Sequence, residues 1–362
     1  MKNHITDIST DITFFLPELF LSTLFLIILL VSLFKKIAPV NRTIQFIFLT
    51  GLAFNFMLIF NQINYPSVYI FYGLFELKKI AVLYKLLVNL CGILFVVFNI
   101  LNEDPYVKNE KSGELYAIST AVILGGQLIA MAVNFIMIFL SLELISLSAY
   151  ILTAYVFKKT TAEASSKYLF YGMFASGVML YGISLFYGIT GSFSTYVTAL
   201  QIGSSTSSRL LITSFIFVLA GILFKLSAFP FHIWAPDIYE ETPDSILAFL
   251  SVNKVIGFCI LTNLFGVFSH FYEDYISLFS CIGIITLVIG NLSALKQKNL
   301  KRLLGYSTIS QTGFILMGMV NNTPFSQSAV IYYLILYILL SFATFYFANL
   351  CFKTSNSYEI DR

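Results

Sequence analysis

The sequence predicts an all-α protein: a polytopic integral membrane helix bundle with about eleven transmembrane helices. Of its 362 residues, 58% are hydrophobic and only 11% are charged, whereas soluble domains carry roughly 25% charged residues. The apolar residues form continuous runs of about 20, the length that an α-helix needs to cross a bilayer. Because the runs do not alternate between apolar and polar, they exclude a transmembrane β-barrel. In lipid each segment must satisfy its own backbone, which also favours helices.

The predicted spans follow one another closely along the chain. They lie near residues 13–34, 43–61, 80–101, 115–132, 135–157, 164–190, 209–228, 243–268, 273–295, 302–321 and 328–352. The longest polar connections are near 62–79, 101–114 and 191–208, and the last is rich enough in Ser and Thr to hold a short surface helix. No connection can hold a soluble domain, so residues 1–362 are predicted to form one membrane domain.

Basic residues predict the orientation, because lysine and arginine are enriched in loops on the inner side of a membrane. With the N-terminus outside, most of the 21 Lys and Arg residues face inward, and the C-terminus is inside. The basic residues of the outward segments are only Lys2, Lys78, Lys79 and Arg209. The net charge of +3 therefore reflects membrane topology and does not indicate nucleic-acid binding.

The sequence lacks patterns for metal or nucleotide binding. It has no GxGxxG and no P-loop, and its cysteines have neither CxxC spacing nor a neighbouring histidine. We therefore interpret the cysteines as small core residues and expect no metal site. These dispersed residues are Cys91, Cys259, Cys281, Cys351, His4, His232 and His270. The first residues are not a signal peptide, because Asp7 and Asp11 stand in place of a basic segment.

Three charged residues lie inside otherwise apolar spans: Glu143, Lys225 and Lys254. A charge at the centre of a membrane helix costs about 2.5–3.5 kcal/mol on insertion scales, and such residues often mark ion or proton pathways. That the three residues are neighbours is a hypothesis, because they fall on different helices. Together they suggest a route on which protons step between ionisable groups, with Glu143 tuning Lys225.

The seventh span contains a predicted break. Lys225 is followed by a stretch that holds Pro230, Pro236 and Pro243, and proline interrupts a helix. A broken helix at membrane depth is tolerated where it is buried in protein or lines a wet cavity. His232 and Asp237 lie in this stretch, where they either line a water-filled access path from the inner side or cap the broken helix.

Structural interpretations stand beside the functional ones. Glu143 can bond to Ser141, Ser146 or Ser148, and Lys225 can reach the interface from a helix end. Lys254 lies deeper in its span, where reaching the interface is harder. Two further charges are expected at the interface: Glu18 near the start of the first helix, where the dipole favours an anion, and Lys85 near the start of the third. The basic cluster Lys296, Lys298, Lys301 and Arg302 is interpreted as a topology signal.

Four motifs resemble those of one membrane family, the antiporter-like, proton-pumping subunits of respiratory complex I. The quoted stretches are FLSLELISLSAYIL, FKLSAFPFHIWAPDIYEETP, AFLSVNKVIGF and LKRLLGYSTISQTGF. The second is long and specific, and LPELFLS together with a lysine in the eighth helix resembles the subunit N branch (mitochondrial subunit 2). The resemblance extends from about residue 14 to the end of the sequence.

The resemblance implies a fold and a set of site residues. The family fold has two inverted five-helix repeats, each with a broken helix, so 1–114 would be three helices and a linker, 115–268 the first repeat, and 269–362 an incomplete second repeat. By motif, Glu143 matches the glutamate that pairs with the seventh-helix lysine, Lys225 matches that lysine, and Lys254 matches the central relay lysine. Gln311 departs from the family pattern, which usually has histidine there.

The resemblance also implies partners and location. Relatives continue into a twelfth helix with another lysine, so we expect this chain to be a fragment. No cofactor is expected in the chain itself; NAD, flavin, iron–sulfur clusters and quinone would belong to partner subunits, with other membrane subunits of the complex and the lipid bilayer as contacts. The expected location is a bacterial inner membrane, with the mitochondrial inner membrane as the alternative.

Three functions remain open from the sequence. The first is a proton-translocating subunit of NADH:quinone oxidoreductase, without a redox centre of its own. The second is a cation/proton antiporter subunit that works without an electron-transfer partner. The third is a structural membrane subunit whose buried charges only hold helices together.

Overall fold

The fold is described from a computed structural model that covers residues 8–33, 40–102, 112–156, 158–202, 208–267, 272–321, 323–355 and 357–360. The chain forms two compact units, residues 1–156 and 157–362. Two of the dispersed histidines, His4 and His270, and most of the predicted linker at 102–114 lie outside the described residues.

The N-terminal unit is built from helices that are almost entirely apolar. They are α1 (Ile8–Phe14), α2 (Leu16–Leu33), α3 (Val40–Asn61), α4 (Lys79–Asn102), α5 (Ser112–Met131) and α6 (Phe135–Thr153). A short 3₁₀ turn, Gln62–Asn64, extends α3. Asn134 begins α6, since its side chain accepts a hydrogen bond from the Ile136 amide at 3.0 Å and so caps an otherwise unpaired donor.

A small β-hairpin fills the connection predicted as polar loop at 62–79. Strands β1 (Val68–Ile70) and β2 (Phe75–Leu77) pair antiparallel, with Val68 opposite Leu77. Phe71, Tyr72 and Gly73 all have positive φ and form the turn between them. Asp11 holds this turn, because its carboxylate accepts a hydrogen bond from the Phe71 amide at 3.0 Å.

The predicted interfacial positions of Glu18 and Lys85 are wrong. The Lys85 Nζ atom lies 2.6 Å from Glu18 Oε1, and both side chains are completely buried. Lys85 also donates to Gln62 Oε1 at 2.7 Å. Hydropathy places both residues near helix ends, but α2, α3 and α4 pack so that the two charges satisfy each other inside the protein, as buried charges must.

The C-terminal unit contains the remaining helices. They are α7 (Lys159–Thr190), α8 (Thr195–Ile202), α9 (Ser208–Leu226), α10 (Trp234–Glu241), α11 (Asp244–Phe249), α12 (Val252–Val267), α13 (Tyr272–Ala294), α14 (Leu300–Met319) and α15 (Pro324–Ser355). Helix α8 is the short helix predicted in the Ser/Thr-rich connection. The seventh predicted span is broken as expected, into α9 and α10.

Each predicted span coincides with a helix, or with the pair α11 and α12. Within the described residues, ten helical segments are long and apolar enough to cross a membrane. Helix α14, predicted as the span 302–321, is not among them, because it carries Lys301, Arg302 and several hydroxyl side chains. Cys91 and Cys259 are buried as predicted, whereas Cys281 and Cys351 are exposed, so the core interpretation is wrong for these two.

Close helix contacts depend on small residues. A Cβ atom at Gly313 of α14 would stand 2.8 Å from the Gly283 carbonyl oxygen and 2.8 Å from the Leu287 amide of α13. Only glycine permits this approach, and small residues commonly allow membrane helices to pack backbone against backbone. The contact fixes α14 against α13, which positions the opposite side of α14 for the site described next.

Candidate functional site

Lys225 lies in the last turn of α9, immediately before the break. Ser227 ends the helix in the left-handed conformation, with φ of 56°. The Ala228 amide bonds to the Leu223 carbonyl at 2.9 Å, and the Ser227 amide bonds to the Phe224 carbonyl at 3.1 Å. This pair of bonds is a Schellman motif. Lys225 thus lies at a well-defined helix end, and it is only 5% exposed.

Two side chains add hydrogen bonds to backbone carbonyls at the break. The Trp234 indole donates to the Phe224 carbonyl at 3.1 Å, and the Thr312 hydroxyl donates to the Leu226 carbonyl at 2.9 Å. Tyr168 stacks on Trp234 with ring centroids 4.3 Å apart. The break is thus buried in protein and hydrogen-bonded, as a discontinuity in a membrane helix must be.

Lys254 lies in the most deeply buried span of the C-terminal unit. It is 3% exposed, and its Nζ atom donates to the Thr308 carbonyl and to the Thr312 hydroxyl, both on α14. The ring of Tyr337 lies 5.6 Å from the same nitrogen. An ammonium group with two oxygen acceptors and an aromatic face is a site that can hold a proton inside a membrane.

The span that carries Lys254 is interrupted just before it, which the sequence prediction of one helix over 243–268 missed. Helix α11 ends at Phe249 and α12 begins at Val252. The amides of Ser251, Asn253 and Lys254 bond to carbonyls three residues earlier, at 3.0–3.2 Å. Tight turns of this kind inside a helix often mark functional hinges.

Thr312 connects the two lysine-bearing segments. Its hydroxyl oxygen accepts a hydrogen bond from Lys254 and its hydrogen is donated to Leu226, the residue after Lys225. Gly257, one turn beyond Lys254, lies directly against the Leu226 side chain. The structure therefore brings Lys254 to the broken end of α9, and the passage of a proton between the two lysines stays a prediction.

Glu143 belongs to the N-terminal unit, near the middle of α6, and is half-buried. Tyr150 follows it by about two turns on the same helix. Of the serines considered as structural partners, Ser146 instead donates to the Leu142 carbonyl at 2.6 Å. The pairing of Glu143 with Lys225, which lies in the other unit, remains a prediction.

His232 lies between α9 and α10, half-buried, with its ring 6.1 Å from that of Phe229. Burial is the main influence on the imidazole and lowers its pKa below the usual 6.5. A neutral imidazole can both accept and donate a proton. The arrangement fits either of the two predicted roles, an access path or a contact at the broken helix.

The interpretation of Lys301 and Arg302 as topology signals is incomplete, because both form ion pairs. The Arg302 guanidinium lies 2.8 Å from Glu240 and 3.3 Å from Asp237. Lys301 is buried, with its Nζ atom 3.7 Å from Asp244. The sequence offered little indication of the buried pair formed by Lys301 and Asp244, because an aspartate at the start of a span is ordinarily expected at the membrane interface.

Gln311, where the resemblance implies a histidine, lies on α14. Its side-chain carbonyl accepts a hydrogen bond from the Tyr333 hydroxyl on α15. Among the described residues, no group of three or more His, Cys, Asp or Glu side chains could hold a metal ion.

The sequence matches known membrane proteins. Residues 132–362 match the family described as NADH:quinone oxidoreductase/Mrp antiporter, transmembrane. A relative from Chlorobium chlorochromatii strain CaD3, named NADH-quinone oxidoreductase subunit N, is 33% identical over the whole chain, which spans 72% of that protein. The subunit of the same name from Ruthia magnifica subsp. Calyptogena magnifica is 35% identical over the whole chain and 75% of its own length.

The fold also matches a solved structure. A chain of respiratory complex I from Thermus thermophilus, determined with bound aureothin, superimposes with a TM-score of 0.76 over 91% of this chain and 69% of that chain. The two sequences are 24% identical, so this similarity shows a shared fold alone.

Proposed function

The chain belongs to the NADH:quinone oxidoreductase/Mrp antiporter transmembrane family, and from that premise we propose that it is a proton-translocating membrane subunit of an NADH:quinone oxidoreductase. Its relatives at 33% and 35% identity carry the name of subunit N of that enzyme. The multi-pass helices agree with a membrane subunit.

The observation that carries the proposal is the placement of Lys254. Its ammonium is buried, bonded to two oxygens of α14 and one turn past a helix interruption. A charge held at membrane depth is costly, and such residues commonly mark ion or proton pathways. Lysine suits this role because burial readily changes its protonation, unlike that of arginine. Lys254 is the proposed central relay group, and Lys225 at the broken end of α9 is the proposed preceding group.

Glu143 and His232 complete the proposed path. Glu143 is the carboxylate whose interaction with Lys225 changes when the complex changes conformation, and His232 lies on the access path from the inner side. A shift in that interaction alters the proton affinity of Lys225, and the proton then moves toward Lys254 through Thr312 and bound water.

The redox reaction is assigned to other subunits. We place NAD, flavin, iron–sulfur clusters and quinone in partner subunits, and no redox centre in this chain. The chain would reside in a bacterial inner membrane, or in the mitochondrial inner membrane, with its N-terminus outside. Single cysteines introduced at Lys78 or Lys296 test the orientation in sealed right-side-out vesicles. A thiol reagent that cannot cross the membrane should label the predicted outward position, Lys78, and not the predicted inward position, Lys296.

Lysine variants test the relay. Lys254→Met should lower the number of protons pumped per electron in the assembled complex, measured in liposomes during NADH oxidation by a quinone. Lys254→Arg keeps a positive charge that cannot be released at physiological pH, so it should also pump poorly. Lys167→Gln is the matched control, because Lys167 is half-exposed in the same unit. A wild-type ratio in both Lys254 variants would refute the relay.

A second candidate is a cation/proton antiporter subunit that works without NADH oxidation, which the family description supports because it names Mrp antiporters. Sodium-driven proton movement by the membrane assembly in the absence of NADH would favour this function. Co-purification of the chain with NADH-oxidising subunits would favour the first.

A further inference from the structure

A second buried group of polar side chains, which includes Lys301, lies at the start of α11 and is distinct from Lys225 and Lys254. Asp244 is 2% and Lys301 is 5% exposed. The Lys301 ammonium donates to the Thr242 carbonyl and lies 3.7 Å from Asp244 Oδ1. The other carboxylate oxygen, Oδ2, accepts hydrogen bonds from Asn349 at 3.0 Å and from the Tyr358 hydroxyl at 2.6 Å.

Several oxygens of this group are buried without a hydrogen-bond partner among the described residues. They are Thr242 Oγ1, Asp244 Oδ1, Ser245 Oγ and Asn349 Oδ1. Buried polar atoms in proteins are nearly always bonded, to protein or to water. A buried water needs two to four polar partners, and these oxygens can supply them. We therefore assign water to a polar pocket beside Asp244 Oδ1.

One face of α14 leads from this pocket to Lys254. Lys301, Thr308 and Thr312 are spaced by seven and then four residues, so they lie on the same side of the helix. The axial distance from Lys301 to Thr308 is about 10 Å. Thr308 and Thr312 supply the two oxygens that bind Lys254.

A tyrosine fills the interval between the two groups. The side chain of Tyr239, on α10, is buried close to the Thr308 side chain, whose own hydroxyl donates to the Gly305 carbonyl at 2.8 Å. Gly305 allows this approach, because a Cβ atom there would lie 3.1 Å from Tyr239 Cβ and 3.3 Å from Pro236 Cα. A tyrosine hydroxyl can pass a proton by accepting one and donating another.

We propose that Asp244 is the proton-loading carboxylate for Lys254, with Lys301 as its counter-charge and the α14 face past Tyr239 as the route. This inference rests on the proposed function and adds a second supply of protons for Lys254, from the inner side, beside the transfer from Lys225. It places the loading site at the basic end of α14, which is the inner side in the proposed orientation.

The transfer needs no co-reactant other than water. A hydronium ion loses a proton, and Asp244 Oδ1 gains an O–H bond. That bond breaks as water in the pocket takes the proton onward. The Tyr239 hydroxyl receives a proton on one side as it gives its own to the other, and the neutral amine of Lys254 gains the final N–H bond. Asp244 returns to its ionised form beside Lys301.

Ion pairs surround the entrance to this group. Glu240 and Asp237 pair with Arg302, and both carboxylates are only half-buried. Water can therefore reach the end of α10, next to Asp244.

The competing explanation is that Asp244 and Lys301 only hold α11 and α14 together. A neutral double variant separates the two explanations, because Asp244→Asn with Lys301→Met removes both charges and leaves no unpaired buried ion. A purely structural pair would then be dispensable for pumping. A proton-loading carboxylate would not.

The experiment measures protons per electron in liposomes that contain the assembled complex, normalised to the amount of assembled enzyme. Asp244→Asn alone and the double variant should both fall below the wild-type ratio. Arg302→Gln is the matched control, since it removes a neighbouring charge that is 35% exposed, and it should retain the wild-type ratio.

Different outcomes affect different conclusions. A wild-type ratio in the double variant, with a lowered ratio in Lys254→Met, would overturn the loading site and leave the proposed function intact. A wild-type ratio in Lys254→Met as well would refute both. If the double variant does not assemble, Tyr239→Phe removes only the hydroxyl on the route. We expect a lowered ratio there, and a wild-type ratio would overturn the inference.

Discussion

The buried pair of Glu18 and Lys85 makes the N-terminal unit sensitive to a single substitution. At 2.6 Å, two unit charges attract by about 6 kcal/mol at an effective dielectric constant of 20. Much of this attraction offsets the cost of removing both ions from water. Removing one partner of such a pair costs about 3–5 kcal/mol, because the other charge is left buried and unpaired. We therefore expect Lys85→Met to destabilise the N-terminal unit by that amount.

Two buried cysteines allow each unit to be observed separately. Cys91 lies on α4, fully buried and less than two turns beyond Lys85, whereas Cys259 lies buried on α12 of the C-terminal unit. With the exposed Cys281 and Cys351 replaced by serine, a thiol reagent labels each buried cysteine only when its unit opens. Separate variants that retain Cys91 alone or Cys259 alone make the two rates independent.

The expected labelling rates follow from the energies. A loss of 3–5 kcal/mol increases the open population roughly 100-fold to several thousand-fold, since each 1.4 kcal/mol is a factor of ten. Lys85→Met in the assembled complex should increase Cys91 labelling by that factor and leave Cys259 labelling unchanged. The double variant Glu18→Gln/Lys85→Met should label Cys91 much more slowly than the single variant. Equal rates in the single and double variants would refute this reasoning.

Two other predictions concern the C-terminal unit. Gly305→Ala should push Tyr239 away from α14 and destabilise the unit by about 1–3 kcal/mol, which should accelerate Cys259 labelling. Gly177→Ala is the control, because a new Cβ there meets nothing within 4 Å. It should be neutral or slightly stabilising. Because burial lowers the pKa of His232, the unfolded chain binds more protons than the folded chain below about pH 6.5, and stability should fall on acidification. His232→Gln should reduce that loss, as measured by thermal unfolding between pH 5 and 7; an unchanged pH dependence would contradict the assignment.

The sequence predicted the spans well because hydropathy acts over about 20 residues at a time. It did not predict the hairpin Val68–Ile70 with Phe75–Leu77, whose strands are only three residues long. It also misplaced Glu18 and Lys85, because a hydropathy profile contains no information about which helices become neighbours. The same limitation explains why Lys301 was interpreted as a topology signal.

The candidate site was predictable where proline or motif spacing marked it. Pro230 and Pro236 predicted the end of α9 beside Lys225. Lys254 was identified because it is the only lysine in its apolar span. The interruption between Phe249 and Val252 had no such mark, since neither proline nor glycine lies there. The acceptors on α14 were equally hidden, because threonines in a helix most often bond to their own backbone.

Thr312 has one hydroxyl hydrogen and two carbonyl oxygens within reach, Leu226 at 2.9 Å and Thr308 at 3.1 Å. While Lys254 is charged, the threonine can only accept from it, so its hydrogen must point to one of these carbonyls. A neutral amine would compete for that hydrogen as a third acceptor. The orientation of the Thr312 O–H bond therefore couples the charge of Lys254 on α12 to the Leu226 carbonyl at the broken end of α9.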